Sequence, residues 1–388
     1  MNMVTFQNTK LGDICVQITD GKHGDCLNEN GSGYFFISSK DVYDGSIHYE
    51  NARQITQVDF IDTHKRTKLE PGDILITNSG TIGRMAFIKN DDRYKKTTFQ
   101  KSVAIIKPRL SEVDSSYLYY NLLFREKNLI NLAGGAAQHN LLLGDLRRFS
   151  IQIPDRETQS CIASVLSSYD DLIENNEKRI KILEEMAQRL YTEGFVKFNG
   201  HEKARMVDSR TGNGGWNVVK FGDKVSVFKG RNITKKTITD GLVPVVAGGL
   251  QPAYYHNTFN TKGPVITISA SGANAGFVNL YSEDIWASDC SYNNSTSTPF
   301  VYFYYLLLRH RQAEVTNLQK GAAQPHVYPQ DIMRLSVFDV PETLIINFEC
   351  KVQMIFNQIC NLRKQNQTLS KARDFLIPQL ITGIRELK

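Results

Sequence analysis

Long apolar runs are missing from this 388-residue sequence. The longest, Phe300 to Leu308, is about half of the ~20 residues that a bilayer-spanning helix requires. Met1 to Lys10 lacks an apolar centre, so no secretory leader is expected. Cysteine is sparse and unpaired in pattern. Cys15, Cys26, Cys161, Cys290, Cys350 and Cys360 form no CxxC, and no Cys/His cluster has zinc-ligand spacing. They read as free thiols of a reducing cytoplasm, the expected location, and no metal site is expected. There is no GxxxxGK[ST] loop for nucleotide phosphates. There is no Asn-Pro-Pro-aromatic stretch, and no glycine fingerprint that follows a strand and opens a helix. Cofactor sites for nucleotides or S-adenosylmethionine are therefore not expected. No triad of acids or nucleophiles stands out, and the chain reads as non-catalytic. Charge of one sign is lacking too: 46 Lys and Arg against 40 Asp and Glu leave +6. That balance permits a basic face without a polybasic tail.

What is present is a duplication. Gly135-Ala136-Ala137-Gln138 recurs as Gly321-Ala322-Ala323-Gln324, 186 positions on. Asp145-Leu146 recurs at the same shift as Asp331-Ile332. Tyr117 to Leu123 is echoed by Tyr302 to Leu308, and Lys10-Leu11-Gly12-Asp13 is paralleled by Lys220-Phe221-Gly222-Asp223. A period this long is a duplicated domain, not a solenoid repeat.

Five segments follow: a globular domain over 1–154, a long helix over 155–200, a linker over 201–215 containing Thr211-Gly212-Asn213-Gly214-Gly215, a second globular domain over 216–341, and a second long helix over 342–388. In the first domain Asp73–Thr77, Met85–Ile88 and Ser102–Ile106 read as strands, and Tyr117–Leu132 as one Tyr- and Leu-rich helix. In the second, Val243–Val246, Pro264–Ser269 and Phe277–Leu280 read as strands and Tyr302–Leu318 as one helix. The Tyr-rich helices read as core elements, and Gln138 and Gln324 as structural residues.

The long helices carry a heptad seam. Ile162, Leu166, Tyr169, Ile173, Asn176, Ile180, Leu183, Ala187 and Leu190 alternate steps of four and three. The counterparts are Phe348, Val352, Ile355, Ile359, Leu362, Asn366, Leu369, Arg373 and Leu376. An antiparallel register that faces Asn176 with Asn366 sets Ile162 against Leu380, Leu166 against Leu376, Ile180 against Leu362 and Tyr169 against Arg373. Ile162 to Leu190 spans roughly 42 Å as helix. The expected architecture is mixed α/β: two globular domains separated by two long helices in an antiparallel coiled coil, with a pseudo-twofold internal repeat.

The ordered set Gly12-Asp13, Thr19-Asp20-Gly21-Lys22-His23, Ser79-Gly80-Thr81-Ile82-Gly83, Gly135 to Gln138 and Arg373 to Leu380 with Gly383 resembles the specificity subunit of type I restriction-modification systems. The resemblance covers nearly the whole chain. It implies a sequence-specific, non-catalytic DNA-binding subunit of a restriction endonuclease and adenine methyltransferase complex. Each globular unit would be a target recognition domain reading one half of a bipartite, asymmetric site. The helices would set the spacing and dock two modification subunits, with restriction subunits joining through them. One departure is Ser271-Gly272-Ala273-Asn274-Ala275-Gly276, whose extra residue between glycines predicts a differently shaped second loop. Three other readings stand beside this one: a DNA-recognition module of another DNA-defence complex, a coiled-coil adaptor whose globular units bind proteins, and a self-sufficient enzyme.

Under the leading reading the polar, glycine-flanked loops become candidate DNA contacts. In the first domain these are Lys22, His23, Lys40, Asn78, Ser79, Thr81, Arg84, Lys95 and Lys96. In the second they are Lys229, Arg231, Asn232, Lys235, Lys236, Gln251, Ser271, Asn274, Tyr292 and Asn293. Arg and Lys suit guanine edges and Asn and Gln suit adenine edges, while hydroxyls and amides suit phosphate. The plainer reading of each is turn chemistry or a solvated side chain.

Overall fold

The computed structural model describes residues 5–133, 140–197, 216–321 and 324–385. Gly135 to Gln138, Ala322-Ala323 and the 201–215 linker lie outside them. The chain divides into two compact units, Met1–Glu174 with Asn366–Lys388, and Asn175–Gln365.

In the first unit a four-stranded antiparallel sheet orders its strands Cys15–Asp20, Val103–Pro108, Ile74–Thr77, Met85–Phe87. Ile74, Leu75 and Ile76 are all fully buried, as are Val103 to Ile106. Both faces of these strands are covered, which is why the sequence runs apolar without alternating. A small sheet beside it orders Arg53–Gln54, Phe35–Ile37, Thr97–Phe99, the second pair parallel. Gln7–Lys10 pairs with Ser150–Ile153 and ties the two ends of the domain together.

The second unit repeats this plan. Its central sheet orders Phe228–Lys229, Cys290–Asn294, Val265–Ser269, Val278–Tyr281. Its small sheet orders Tyr254–His256, Val243–Val246, Trp286–Ala287, again with one parallel pair, and Val218–Lys220 pairs with Ser336–Phe338. The first unit alone inserts an α-helix, Gln57–Thr67, between small and central sheets. Thr56 caps it, accepting from the Asp59 amide at 3.2 Å.

The Tyr-rich segments are each two helices, which corrects the expectation of one. Ser115–Phe124 breaks at Arg125 (φ −98°, ψ 12°) before Glu126–Asn131. Val301–His310 breaks at Arg311 (φ −100°, ψ 25°) before Gln312–Thr316. The break turns the chain so that Leu122 and Leu129, or Leu308 and Val315, enter the same core fully buried.

The long helices span Arg156–Tyr191 and Glu342–Ile381. In the first unit Ile162, Ala163 and Leu166 share a core with Ile377, Leu380 and Ile381. In the second, Ala187 and Tyr191 share one with Phe348, Val352, Ile355 and Ile359, and Ile180 and Leu183 pack against it. Both pairings are antiparallel. Asp170 meets Arg373 and the Ile173 carbonyl accepts from Asn366 Nδ2 at 3.4 Å in one unit, while Glu184 meets Arg363 at 2.7 Å in the other. Two details depart from expectation. Leu190 is 37% exposed and Tyr191 is buried in its place, beside Phe303 and Phe348. A helix of 3.6 residues per turn drifts about 20° per heptad against a strict seven-residue repeat, and by the fourth heptad the next position faces the core. Arg373 bonds Asp170, the residue after Tyr169, and so finds a carboxylate instead of a hydroxyl.

Candidate nucleic-acid interface

The same backbone device begins the candidate loops of both units. At Gly21 an added Cβ would lie 2.0 Å from the Phe99 carbonyl oxygen, and at Gly230 2.2 Å from that of Ser288. Only glycine allows the chain to leave the central sheet so close to the neighbouring strand. Lys22 N then bonds the Phe99 carbonyl at 2.9 Å, and Arg231 N bonds that of Ala287 at 2.9 Å. Lys22 and Arg231 are thereby set against the small sheet of each unit.

In the first unit these loops are charge-balanced. Lys22 Nζ lies 2.5 Å from Asp62, and His23 Nε2 lies 2.7 Å from Asp20. Arg66, which the sequence did not single out, bonds the other Asp20 oxygen at 2.8 Å. Lys95 pairs with Asp92 at 2.8 Å, and Lys96 stands 5.6 Å over the Tyr34 ring. The bond from Lys22 holds the Asp62 carboxyl below its ordinary range, as that from Lys95 does for Asp92.

The turn after Ile74–Thr77 is organised by Thr77, whose Oγ1 accepts from the Arg84 amide at 3.0 Å and donates to the Thr81 carbonyl. Gly80 and Gly83 hold it with φ of 77° and 91°. Thr81 and Arg84 are exposed and Ser79 half-buried. Ser39 approaches this turn, an added Cβ at Gly80 lying 2.9 Å from its Oγ, so the exposed Lys40 is brought beside it. In the second unit the longer turn closes in the same way. Gly276 N bonds the Ser269 carbonyl at 2.8 Å as Gly83 N bonds that of Thr77 at 2.9 Å, and Gly272 and Gly276 both have positive φ. A turn from Ala275 N to the Gly272 carbonyl, 3.0 Å, absorbs the extra residue. Ser271 donates to Asp289, and Asn274 is half-buried.

Lys229, Arg231, Asn232, Lys235, Lys236 and Gln251 are exposed, and Tyr292 is half-buried against Phe228. Two expectations need correction. Asn293 is fully buried, paired in register with Ile266 inside the central sheet, and neither atom of its amide has a partner among the described residues. Asn78 is 8% exposed, its Oδ1 similarly enclosed, and its backbone ties Ser102 to Leu141. The burial of Asn293 and of the Asn78 amide oxygen departs from the exposed loop positions expected of them. Tyr254 and Tyr255, on an outer strand of the second unit's small sheet, are 40% and 55% exposed.

Duplicated sheets with polar glycine turns, carried on paired long helices, define a class. The family described as type I restriction modification DNA specificity domain matches this chain twice, over residues 3–185 and 213–338. The chain belongs to that family. Among its relatives, the type I restriction enzyme MjaIX specificity subunit of Methanocaldococcus jannaschii is 30% identical over 342 residues, 80% of this chain and 77% of that protein. The HindI specificity subunit of Haemophilus influenzae is 28% identical over 171 residues, 42% of this chain and 36% of that one. The fold is shared with the crystal structure of a type I restriction-modification S subunit from M. genitalium, with a TM-score of 0.59 at 16% identity over 98% of this chain and 97% of that one. No described helix is long and apolar enough to cross a membrane.

Proposed function

We propose that the chain is the DNA-reading, non-catalytic subunit of a cytoplasmic type I restriction-modification complex. Residues 1–154 and 216–341 each act as a target recognition domain for one half of a bipartite site. The observation that carries this reading is the duplicated topology with unlike loops. Central sheet, small sheet and helix pair recur in the same order, while the turn residues facing solvent differ. One scaffold used twice with different side chains suits two unlike half-sites. The long helices carry both domains and set the spacing, and their outward charges, Glu177, Lys178, Lys181, Glu184 and Glu185, suit docking of two modification subunits. Restriction subunits join through these.

The chain alone should leave duplex DNA unmethylated and uncut with S-adenosylmethionine, ATP and magnesium present. Mixed with its modification subunits it should direct methylation to one motif. Robust methyl transfer by the isolated chain would contradict the proposal.

A further inference from the structure

We propose that the small sheet of the second unit captures the DNA backbone electrostatically, and that its counterpart in the first unit contributes little to that capture. The inference rests on the DNA-reading function above. The two small sheets share a topology but not a charge state. In the first unit every arginine around the sheet is already engaged. Arg53 pairs with Asp25 at 2.6 Å and lies 5.5 Å over Phe36; Arg93 pairs with Asp91 at 2.7 Å and lies 4.5 Å over Tyr49. Lys22 and Lys95 have their own carboxylates at 2.5 and 2.8 Å. Its aromatic faces are covered by these cations and by Lys96 over Tyr34, while Lys101, after the strand Thr97–Phe99, is exposed with no ion pair among the described residues.

The second unit leaves both open. The Arg231 backbone is fixed against the small sheet, its carbonyl accepting from Trp286 Nε1 at 2.8 Å, but its guanidinium is exposed. Lys235 borders an open pocket of about 450 Å³ with Ile238, Asp240, Tyr254 and Tyr255, and Lys236 is exposed beside it. Among the described residues none of Arg231, Lys235 and Lys236 lies within ion-pair distance of a carboxylate; Asp240 is the one acid lining the pocket.

A free cation that meets a phosphate releases a condensed counterion. A cation that must first leave its own carboxylate exposes a new charge and gains far less. Each phosphate neutralised contributes about 0.9 to the slope of log K against log salt. Three free cations, offset in part by Asp240, should supply about 2 to 3 of that slope. At ~0.1 M salt this is up to about 500-fold in affinity.

The test is fluorescence anisotropy of the full chain on a labelled random-sequence duplex across a salt series. The R231Q/K235Q/K236Q variant, all exposed side chains, should lose about 2 to 3 from the slope. The K22Q/R93Q/K95Q variant should lose less than about 1. Far-UV circular dichroism checks that both fold, and single substitutions replace a triple that does not. Equal losses, or an unchanged slope in the second-unit variant, overturn the inference. Absence of wild-type binding at low salt overturns the DNA-reading function itself, and the inference with it.

Discussion

Removing the Asp170 carboxylate should loosen the first recognition domain from the long helices more than any other single substitution at that junction. Asp170 Oδ2 accepts from the Tyr120 hydroxyl at 2.5 Å, and Oδ1 accepts from Arg373 Nη1. One carboxylate thus joins the Tyr-rich helix, the first long helix and the second. The side chains of Asp170 and Arg373 are only 22% and 23% exposed. Burial, and then the Asp170 charge, push the Tyr120 hydroxyl far above its ordinary range. Asp170→Ala removes two charge-assisted bonds worth about 1.5–3 kcal/mol each. Arg373 keeps Asp374, 2.7 Å away, and residual water access softens the loss. The expected cost is about 3 kcal/mol. Tyr120→Phe should cost about 1 kcal/mol, and the double variant should cost less than the sum because both changes remove one bond. Both tryptophans, Trp216 and Trp286, lie in the second unit, so their fluorescence would under-report the effect. Hydrogen exchange over residues 160–174 and 370–381 reads it directly, and 3 kcal/mol corresponds to about 150-fold faster exchange. A loss below ~1 kcal/mol for Asp170→Ala, or strict additivity in the double variant, would refute the reasoning.

Other outcomes follow from single sites. Asp73 is 5% exposed, and burial raises its carboxyl from 3.8 to about 6 although Lys107 lies 2.7 Å away. The folded state therefore holds a proton that the unfolded state releases. Stability from this group should be greatest below pH ~4 and fall as pH rises through 6, by at most about 3 kcal/mol. Asp73→Asn should flatten that fall in urea titrations, and an unaltered pH profile would show that another group causes it. Burial pushes the thiols of Cys15 and Cys290 up to about 12, while Cys161 and Cys350 are exposed. A maleimide should label Cys161 and Cys350 first in the native chain; fast labelling of Cys290 would contradict the packing of the second unit. Four residues inserted after Asn176 add about one helical turn, close to 6 Å. The recognised spacer should lengthen by one or two base pairs with both half-sites kept. An unchanged spacer in a variant that still co-purifies with its partner would end the ruler model.

Much of the scaffold was legible because it is written in runs. Ile74 to Ile76 and Val265 to Ile268 are buried on both faces, so an apolar run bounded by polar turns identifies them. The helix seam was legible for the same reason, up to the drift that exchanges Leu190 for Tyr191. The split helices were not, since nothing in Tyr117–Leu132 breaks helical propensity; the bend at Arg125 comes from two leucines sharing a core. Asn293 was misread because turn-like Asn-Asn composition gives no sign that the strand Cys290–Asn294 is buried on both faces, Asn293 and Asn294 alike. The charge state of the loops was hidden for a further reason. Lys22 meets Asp62, 40 residues away, and Arg53 meets Asp25, 28 residues away. Such partners come together only through tertiary structure, so the net charges of residues 1–155 (19 − 18 = +1) and 216–340 (11 − 8 = +3) do not reveal which cations are already paired.

The central claim is that each unit reads its own half-site. Its most direct test is methylome sequencing of a host expressing the chain with its modification subunits, before and after residues 1–154 are replaced by the corresponding domain of a relative with different specificity. The account predicts a bipartite motif in which one half changes and the other half is retained. A motif that changes in both halves, or methylation that ignores the exchange, would contradict it.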